Sequence, residues 1–227
     1  FCVTAYWKCM LIRFSIMKAC FSALLLFCTL LSACSDEADR PLQNYEQGLV
    51  EALSRGDKTI SQIVLDNGDT LAVTNRIMVA QPASTIRAYA LYVRANKTVE
   101  LTRLSPVLTC SVQQMPDTVL RTDALLLRSM WLSHRYLNFF VSLPTGPAKR
   151  SHYLGIVDKG FSENEAHTQT LNLQLFHYQN GDGKAYYRDT YFSCRLDSYL
   201  PRLSRGDSIR LFYRDENGRQ TSITQAY

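Results

Sequence analysis

The chain has 227 residues, 46% of them hydrophobic and 20% charged, which is enough apolar material for one large core or two modest ones and excludes a disordered chain. Its formal charge of +5 looks basic, but Lys8, Arg13 and Lys18 all precede Cys34 and no acid does. From Cys34 onward 22 basic side chains face 20 acidic ones, and a balance of +2 gives no electrostatic case for nucleic acid.

The first element is the run from Ala19 to Ala33, interrupted only by Ser22, Thr29 and Ser32. Its 15 residues fall short of the roughly 20 that cross a bilayer as a helix. With Lys18 at its positive end, it reads as the core of a cleaved helical signal peptide over residues 1–33. Leu31, Ser32 and Ala33 before Cys34 form a lipobox, so Cys34 is the expected point of cleavage and lipidation. At about 0.8 kcal/mol per buried methylene, two or three acyl chains hold a protein on a membrane almost indefinitely. An uncut signal anchor is the alternative. Met10 and Met17 are both usable starts, and residues 1–16 read as upstream sequence.

Residues 34–44 form a lipidated N-terminus and linker. Ser35 after the cysteine resembles lipoproteins sent to the outer membrane, and the acids of Ser35-Asp36-Glu37-Ala38-Asp39 resemble surface-export signals of Gram-negative bacteria. A solvated linker explains those acids equally well. The expected location is the outer membrane, lipid-anchored, facing the periplasm or the cell surface. Of seven cysteines, Cys2, Cys9, Cys20 and Cys28 leave with the signal region and Cys34 is acylated, so Cys110 and Cys194 remain. Buried free thiols are the commoner state for such a pair, and a disulfide stays open as the alternative.

The rest reads as strands. Leu49 to Leu53, Thr59 to Leu65, Thr70 to Ile77, Thr85 to Arg94 and Thr98 to Leu104 come first, with Asp66-Asn67-Gly68-Asp69 as a hairpin turn. Five short strands over residues 45–110 predict a small barrel of the OB kind. Polar residues with Met115-Pro116 at 111–118 mark a linker. Beyond it, Ala124 to Leu132, Tyr136 to Leu143, Ser151 to Val157, Thr170 to Tyr178, Tyr186 to Leu196, Ser208 to Tyr213 and Gln220 to Gln225 predict a β-sandwich over 119–227. Alternation is clearest in Leu171-Asn172-Leu173-Gln174-Leu175. Turns at Asn180-Gly181-Asp182-Gly183 and Asp215-Glu216-Asn217-Gly218 are expected to close two hairpins.

The lipobox, then LDNGDTL inside the short five-stranded segment, then MWLSHRYLNFFVSL and the closing DSIRLFYRDENG together resemble the NigD-like lipoproteins. The resemblance covers nearly all of Cys34 to Tyr227. It implies an OB-like domain followed by a β-sandwich in a cell-envelope protein, and the family name comes from a proposed role in bacteriocin self-protection. Trp131-Leu132 and Tyr136-Leu137-Asn138 then match framework positions of the first sandwich strands. No catalytic residues come with the resemblance.

Chemical signatures are scarce. There is no G-x-S-x-G turn, no H-E-x-x-H, no phosphate-cradling glycine loop and no cysteine-histidine spacing for a metal, so no cofactor and no catalytic residue are assigned. His134, His152, His167 and His177 read as surface or strand histidines. The repeated Leu-Ser-Arg-Gly-Asp at 53–57 and 203–207 reads as two turns rather than an adhesion motif. Alternation puts Tyr187 and Tyr191 on one face of their strand and Tyr186 and Phe192 on the other, so at least one pair is expected to be core; Tyr187 and Tyr191 are the candidate binding patch. The reading is a non-enzymatic binding module whose partner is an envelope protein, a glycan or a bacteriocin, with no nucleic acid. Its alternatives are a bacteriocin immunity protein and an envelope hydrolase in which His152 or His177 converges with an acid.

Overall fold

A computed structural model describes residues 44–163 and 167–227. The expected signal helix, the expected lipobox and Cys34 lie outside the described residues. Among those described, no helix is long and apolar enough to cross a membrane, which says nothing of β-barrel proteins. Tyr45 to Tyr227 form one compact unit.

Five strands close into a barrel in the order β1-β2-β3-β5-β4: β1 (Tyr45–Ser54), β2 (Ile60–Leu65), β3 (Thr70–Val73), β4 (Thr85–Ala95) and β5 (Thr98–Pro106). The ring order is that of an OB-like barrel, with β3 and β5 parallel where it closes. Alternate residues point inward, so Val50, Ala52, Ile63, Leu71, Ala90, Val99 and Leu101 fill the core. The Asp66–Asp69 turn reverses tightly because Gly68 takes a φ of +90° and the Asn67 side chain accepts the Asp69 amide at 2.9 Å. The third strand stops at Val73, four residues short of the expected Ile77. Asn75 ends it: its side-chain amide donates to the Leu101 carbonyl at 2.7 Å and accepts the Leu101 amide at 2.9 Å, standing in for the next rung of backbone pairing.

The remaining strands make two four-stranded sheets packed as a sandwich. One has the order β6-β11-β8-β7, built from β6 (Leu108–Ser111), β7 (Leu126–Ser133), β8 (Tyr136–Thr145) and β11 (Tyr186–Arg195). The other runs β13-β12-β10-β9, from β9 (Tyr153–Glu163), β10 (Gln169–Tyr178), β12 (Ser208–Arg214) and β13 (Gln220–Ala226). Phe139 and Phe192 stack at 4.3 Å between ring centroids at the centre, surrounded by Leu137, Val141, Ile156, Leu171, Leu173 and Leu211. The strand β6 carries no sequence pattern of its own. Its four residues sit at the expected domain boundary and pair in parallel with β11 alone.

The turn at Asn180–Gly183 differs from its expected role. It joins β10 of one sheet to β11 of the other, so it is a corner between layers and not a hairpin. A reversal with φ of +57° at Asn180 and +67° at Gly181 serves either purpose, and the residues that permit one permit the other. The turn at 215–218 does close a hairpin, between β12 and β13, with Asp215 accepting the amides of Asn217 and Arg219. Both Arg-Gly-Asp segments are turns as well. Asp207 is buried and accepts amides from Gln169 and Ser204 at 2.8 and 2.7 Å, leaving its carboxylate no freedom to bind elsewhere.

Candidate functional site: the seam between barrel and sandwich

The β6-β11-β8-β7 sheet is covered on both faces. Its inner face meets the other sheet, and part of its outer face meets the barrel, which is why Asn138 and Ser193 are fully buried although they point away from the sandwich core. Their partner is Arg87 on β4, whose side chain is only 2% exposed. Its guanidinium donates to Asp66 at 2.5 Å, to Asn138 Oδ1 at 2.9 Å and to Ser193 Oγ at 3.4 Å. Ser193 donates in turn to Asn138 Oδ1 at 2.8 Å, and Asn138 Nδ2 donates to Ser133 at 2.6 Å. Every polar atom that the seam removes from water thus has a partner within the chain.

A second charged contact stands beside it. Arg135, on the turn between β7 and β8, donates to both oxygens of Glu51 at 2.6 and 2.9 Å, a bidentate pairing that fixes orientation as well as distance. Burial alone would raise the Glu51 carboxyl, but hydrogen bonds from Arg135 and Tyr136 outweigh it and hold the group below its ordinary value. The Tyr136 ring lies under both cations, 4.5 Å from Arg87 and 5.7 Å from Arg135. These contacts fix the barrel on the sandwich in one arrangement.

Where the barrel curves away from the sheet, the seam opens into a groove of about 400 Å³. Tyr89 of the barrel and Tyr191 of the sandwich line it, with Gln47, Arg103 and Ser105 on the barrel side and Asp189 on the other. Tyr191 is stacked between Tyr89 at 5.1 Å and Phe140 at 4.6 Å, with Trp131 edge-on at 6.4 Å. Asp189 accepts a short hydrogen bond from Ser142, which itself accepts from Arg128 at 2.9 Å, so a polar chain crosses three strands on the open part of this face. Tyr187 shares the face with Tyr191 and is 36% exposed, with the Lys184 ammonium 5.3 Å above its ring. Phe192 is fully buried on the opposite face, whereas Tyr186 lies beyond the covered part of the strand and is exposed. Tyr191 therefore contributes one ring to the groove while holding the barrel with its faces, and Tyr187, covered by Lys184, lies exposed at the margin.

The histidines divide sharply. His134 takes a turn position with φ of +44°, and His167 is exposed beside Glu163 at 2.8 Å. His152 and His177 come together with Asp182, as the hydrolase alternative requires, but the cluster is sealed: the His152 and Asp182 side chains are 1% and 0% exposed. The hydrogen bonds assign the protons. His177 Nδ1 donates to the Asp123 carbonyl at 2.9 Å, so its Nε2 is the acceptor and His152 Nδ1 donates to it, also at 2.9 Å. His152 Nε2 faces the Asp182 carboxylate at 3.4 Å, a contact that is attractive only if this nitrogen too carries a proton. All four ring nitrogens are occupied by partners inside the chain, and none is left to act as a base on a substrate. Among the described residues no three metal-ligating side chains converge on a cation site either.

Burial would raise the Asp182 carboxyl, yet amides of Gly146, Gly183 and Arg150 and the His152 ring hold it low. The approach that brings Gly146 to this turn leaves no room for a side chain, since a Cβ there would lie 2.5 Å from the Gly183 nitrogen and 2.8 Å from Asp182 Oδ1. Gly146→Ala is expected to cost about 1–3 kcal/mol of unfolding free energy by forcing the corner apart, measured by urea denaturation.

Sequence reasoning missed the seam residues Glu51, Arg87 and Arg135, and read Asn138 only as a framework position of its strand. The available signal was in β8, where Tyr136-Leu137-Asn138-Phe139-Phe140-Val141 is apolar on both faces, the pattern of a strand buried on two sides.

Comparison with known proteins agrees with this architecture. The family model of the NigD-like C-terminal β-sandwich domain matches residues 109–227. Among solved structures, the chain is similar to a NigD-like immunity protein from Bacteroides caccae, with 24% identity, a TM-score of 0.61, and coverage of 82% of this chain and 98% of that one. It is also similar to a protein described as toxin related from Parabacteroides distasonis, with 18% identity, a TM-score of 0.64 and coverage of 81% and 93%. A third, a protein of unknown function from Bacteroides vulgatus, has 18% identity, a TM-score of 0.63 and coverage of 81% and 90%. No curated protein matches the sequence. With the model covering more than half of its length, the chain belongs to the NigD-like family.

Proposed function

We propose that this protein is an envelope-tethered binding module of the immunity type, acylated at Cys34 behind Leu31, Ser32 and Ala33, which takes a bacteriocin or a segment of one into the seam groove. The observation that carries this reading is the groove itself: a cleft of about 400 Å³ between barrel and sandwich, which the Arg135–Glu51 ion pair and the buried Arg87–Asn138 hydrogen bond hold in fixed relation. A preformed cleft loses little entropy on binding. Its lining combines tyrosine rings with Arg103, Asp189 and Gln47, a mixture suited to a polypeptide that offers both charge signs and apolar side chains. The names of two similar structures, an immunity protein and a toxin-related protein, favour a bacteriocin over a glycan or a resident envelope partner. Tyr187 at the margin extends the same surface.

The test is growth of a deletion strain in conditioned medium from its parent. The strain is expected to be inhibited, wild-type protein to restore growth, and a groove variant carrying Arg103→Glu and Gln47→Arg to fail while remaining folded and membrane-associated. Both side chains are exposed, so neither change disturbs the core. Equal growth of the deletion strain and the parent would remove the immunity reading. Restored growth with the groove variant would remove the groove. The anchor is tested separately: Cys34→Ala is expected to release the protein from the membrane fraction and abolish its acyl label.

A further inference from the structure

We propose that Cys110 and Cys194 are a redox-closable pair, joined by thiol–disulfide exchange into a bond that staples the junction strand β6 to the sandwich. The two residues are direct register partners on the parallel strands β6 and β11. Neighbouring strands lie about 4.8 Å apart, inside the Cα separation of roughly 4.4–6.8 Å over which disulfides form. In a parallel pair, registered residues point to the same face, and both thiols do enter the sandwich core, where Cys194 is fully buried and Cys110 is packed against it.

The environment distinguishes the two. Cys110 is partly accessible, and the hydrogen bond from Cys194 holds its thiol below the ordinary value. The same contact, together with burial, pushes Cys194 up. Cys110, the accessible member of the pair, is therefore the attacking thiol and buried Cys194 the resolving one. Cys110 Sγ attacks one sulfur of an oxidised disulfide partner, a small molecule or a disulfide-bearing oxidoreductase of the envelope, and the partner's S–S bond breaks as the mixed disulfide forms. Cys194 Sγ then displaces the partner's second sulfur from Cys110. The two protons given up by the cysteines end on the partner's two sulfurs, which carry away the electron pair.

The location of the pair gives the bond a purpose. The strand β6 follows directly on the last barrel strand and is held by pairing with β11 alone, at the edge of its sheet. A bond there closes a loop that contains β7 to β10 and fixes the barrel's exit from the sandwich. The proposal is independent of what fills the groove; only its occurrence in cells depends on export to an oxidising compartment.

The experiment is a non-reducing peptide map of the full chain after exposure to oxidised glutathione, and of the chain trapped with N-ethylmaleimide directly from intact cells. Tryptic peptides 104–121 and 189–195 hold the two cysteines and no others. They are expected as one linked species that separates on reduction. The melting temperature is expected to rise by about 5–10 °C on oxidation. Cys110→Ser is expected to abolish both changes while keeping the reduced protein's melting temperature. Cysteines 110 and 194 that both stay free and alkylatable after glutathione treatment would overturn the proposal, as would a linked species formed between molecules instead of within one. Closure in the test tube with fully alkylated thiols in cells would confine the pair to chemistry that the cell does not use, and would overturn its role as an envelope staple.

Discussion

Replacing Arg87 with alanine is expected to lower the unfolding free energy by about 3–5 kcal/mol, read from urea denaturation. The guanidinium is 2% exposed and serves three acceptors, one on the β2–β3 turn and two on sandwich strands. Its loss leaves Asn138 Oδ1 with only the Ser193 hydroxyl, leaves Asp66 without its cation, and opens a void under the Tyr136 ring. Asp66 keeps 28% exposure and can recover water, so the cost falls mainly on the groups that cannot. Arg87→Met is therefore expected to lose clearly less than Arg87→Ala, because it refills the volume. In a double-mutant cycle, Arg87→Ala and Asn138→Ala are expected to be strongly non-additive, since they share one contact across the seam. If instead the two changes add, the barrel and sandwich are not coupled through this cluster. The same variant is expected to loosen the groove, one wall of which belongs to the barrel and the other to the sandwich.

How much of this was legible in the sequence depends on whether a feature is local. The barrel strands announced themselves by alternation and by the Asn67-Gly68 turn, because inward and outward residues differ along one strand and a positive φ selects its residue. The apolar strand Leu171 to Leu175 did the same in the sandwich. The corner at Asn180–Gly183 did not, since the backbone needs the same reversal whether the chain returns to its own sheet or crosses to the other. The early end of β3 was hidden because Asn75 satisfies a backbone pair from another strand, 26 residues away. Arg87 and Glu51 alternate correctly as outward residues of a barrel; only the sandwich sheet packed on that barrel turns outward into buried. The patch at Tyr187 and Tyr191 was legible as a shared face, but the division of labour between them depends on Tyr89, which is distant in sequence and meets Tyr191 only across the seam.

The buried histidine chain makes the second large prediction. His177→Leu is expected to cost about 2–4 kcal/mol, because it leaves the Asp123 carbonyl and the His152 Nδ1 without partners in a region closed to water. The pH dependence follows from the direction of the His177 shift. Burial depresses its pKa below the ordinary 6.5, with a contribution from the neighbouring His152 charge, against the opposing pull of the Asp123 carbonyl. Below pH 6.5 the unfolded chain takes up a proton at this position that the folded chain refuses, so stability falls as pH drops from 6.5 to the folded-state value and rises again over the same window in the other direction. For one proton the slope approaches about 1.4 kcal/mol per pH unit. Asp182 and Glu51 add to the loss further down, since both carboxyls are held below their unfolded values and their contribution disappears as pH falls through those depressed values. Stability measured between pH 4 and 8 is thus expected to fall less steeply in His177→Leu than in the wild type just below 6.5, and to run parallel to it above. Parallel curves throughout would mean that His177 exchanges its proton as freely in the folded chain as in the unfolded one, and the assignment of the neutral acceptor ring to His177 would then be wrong.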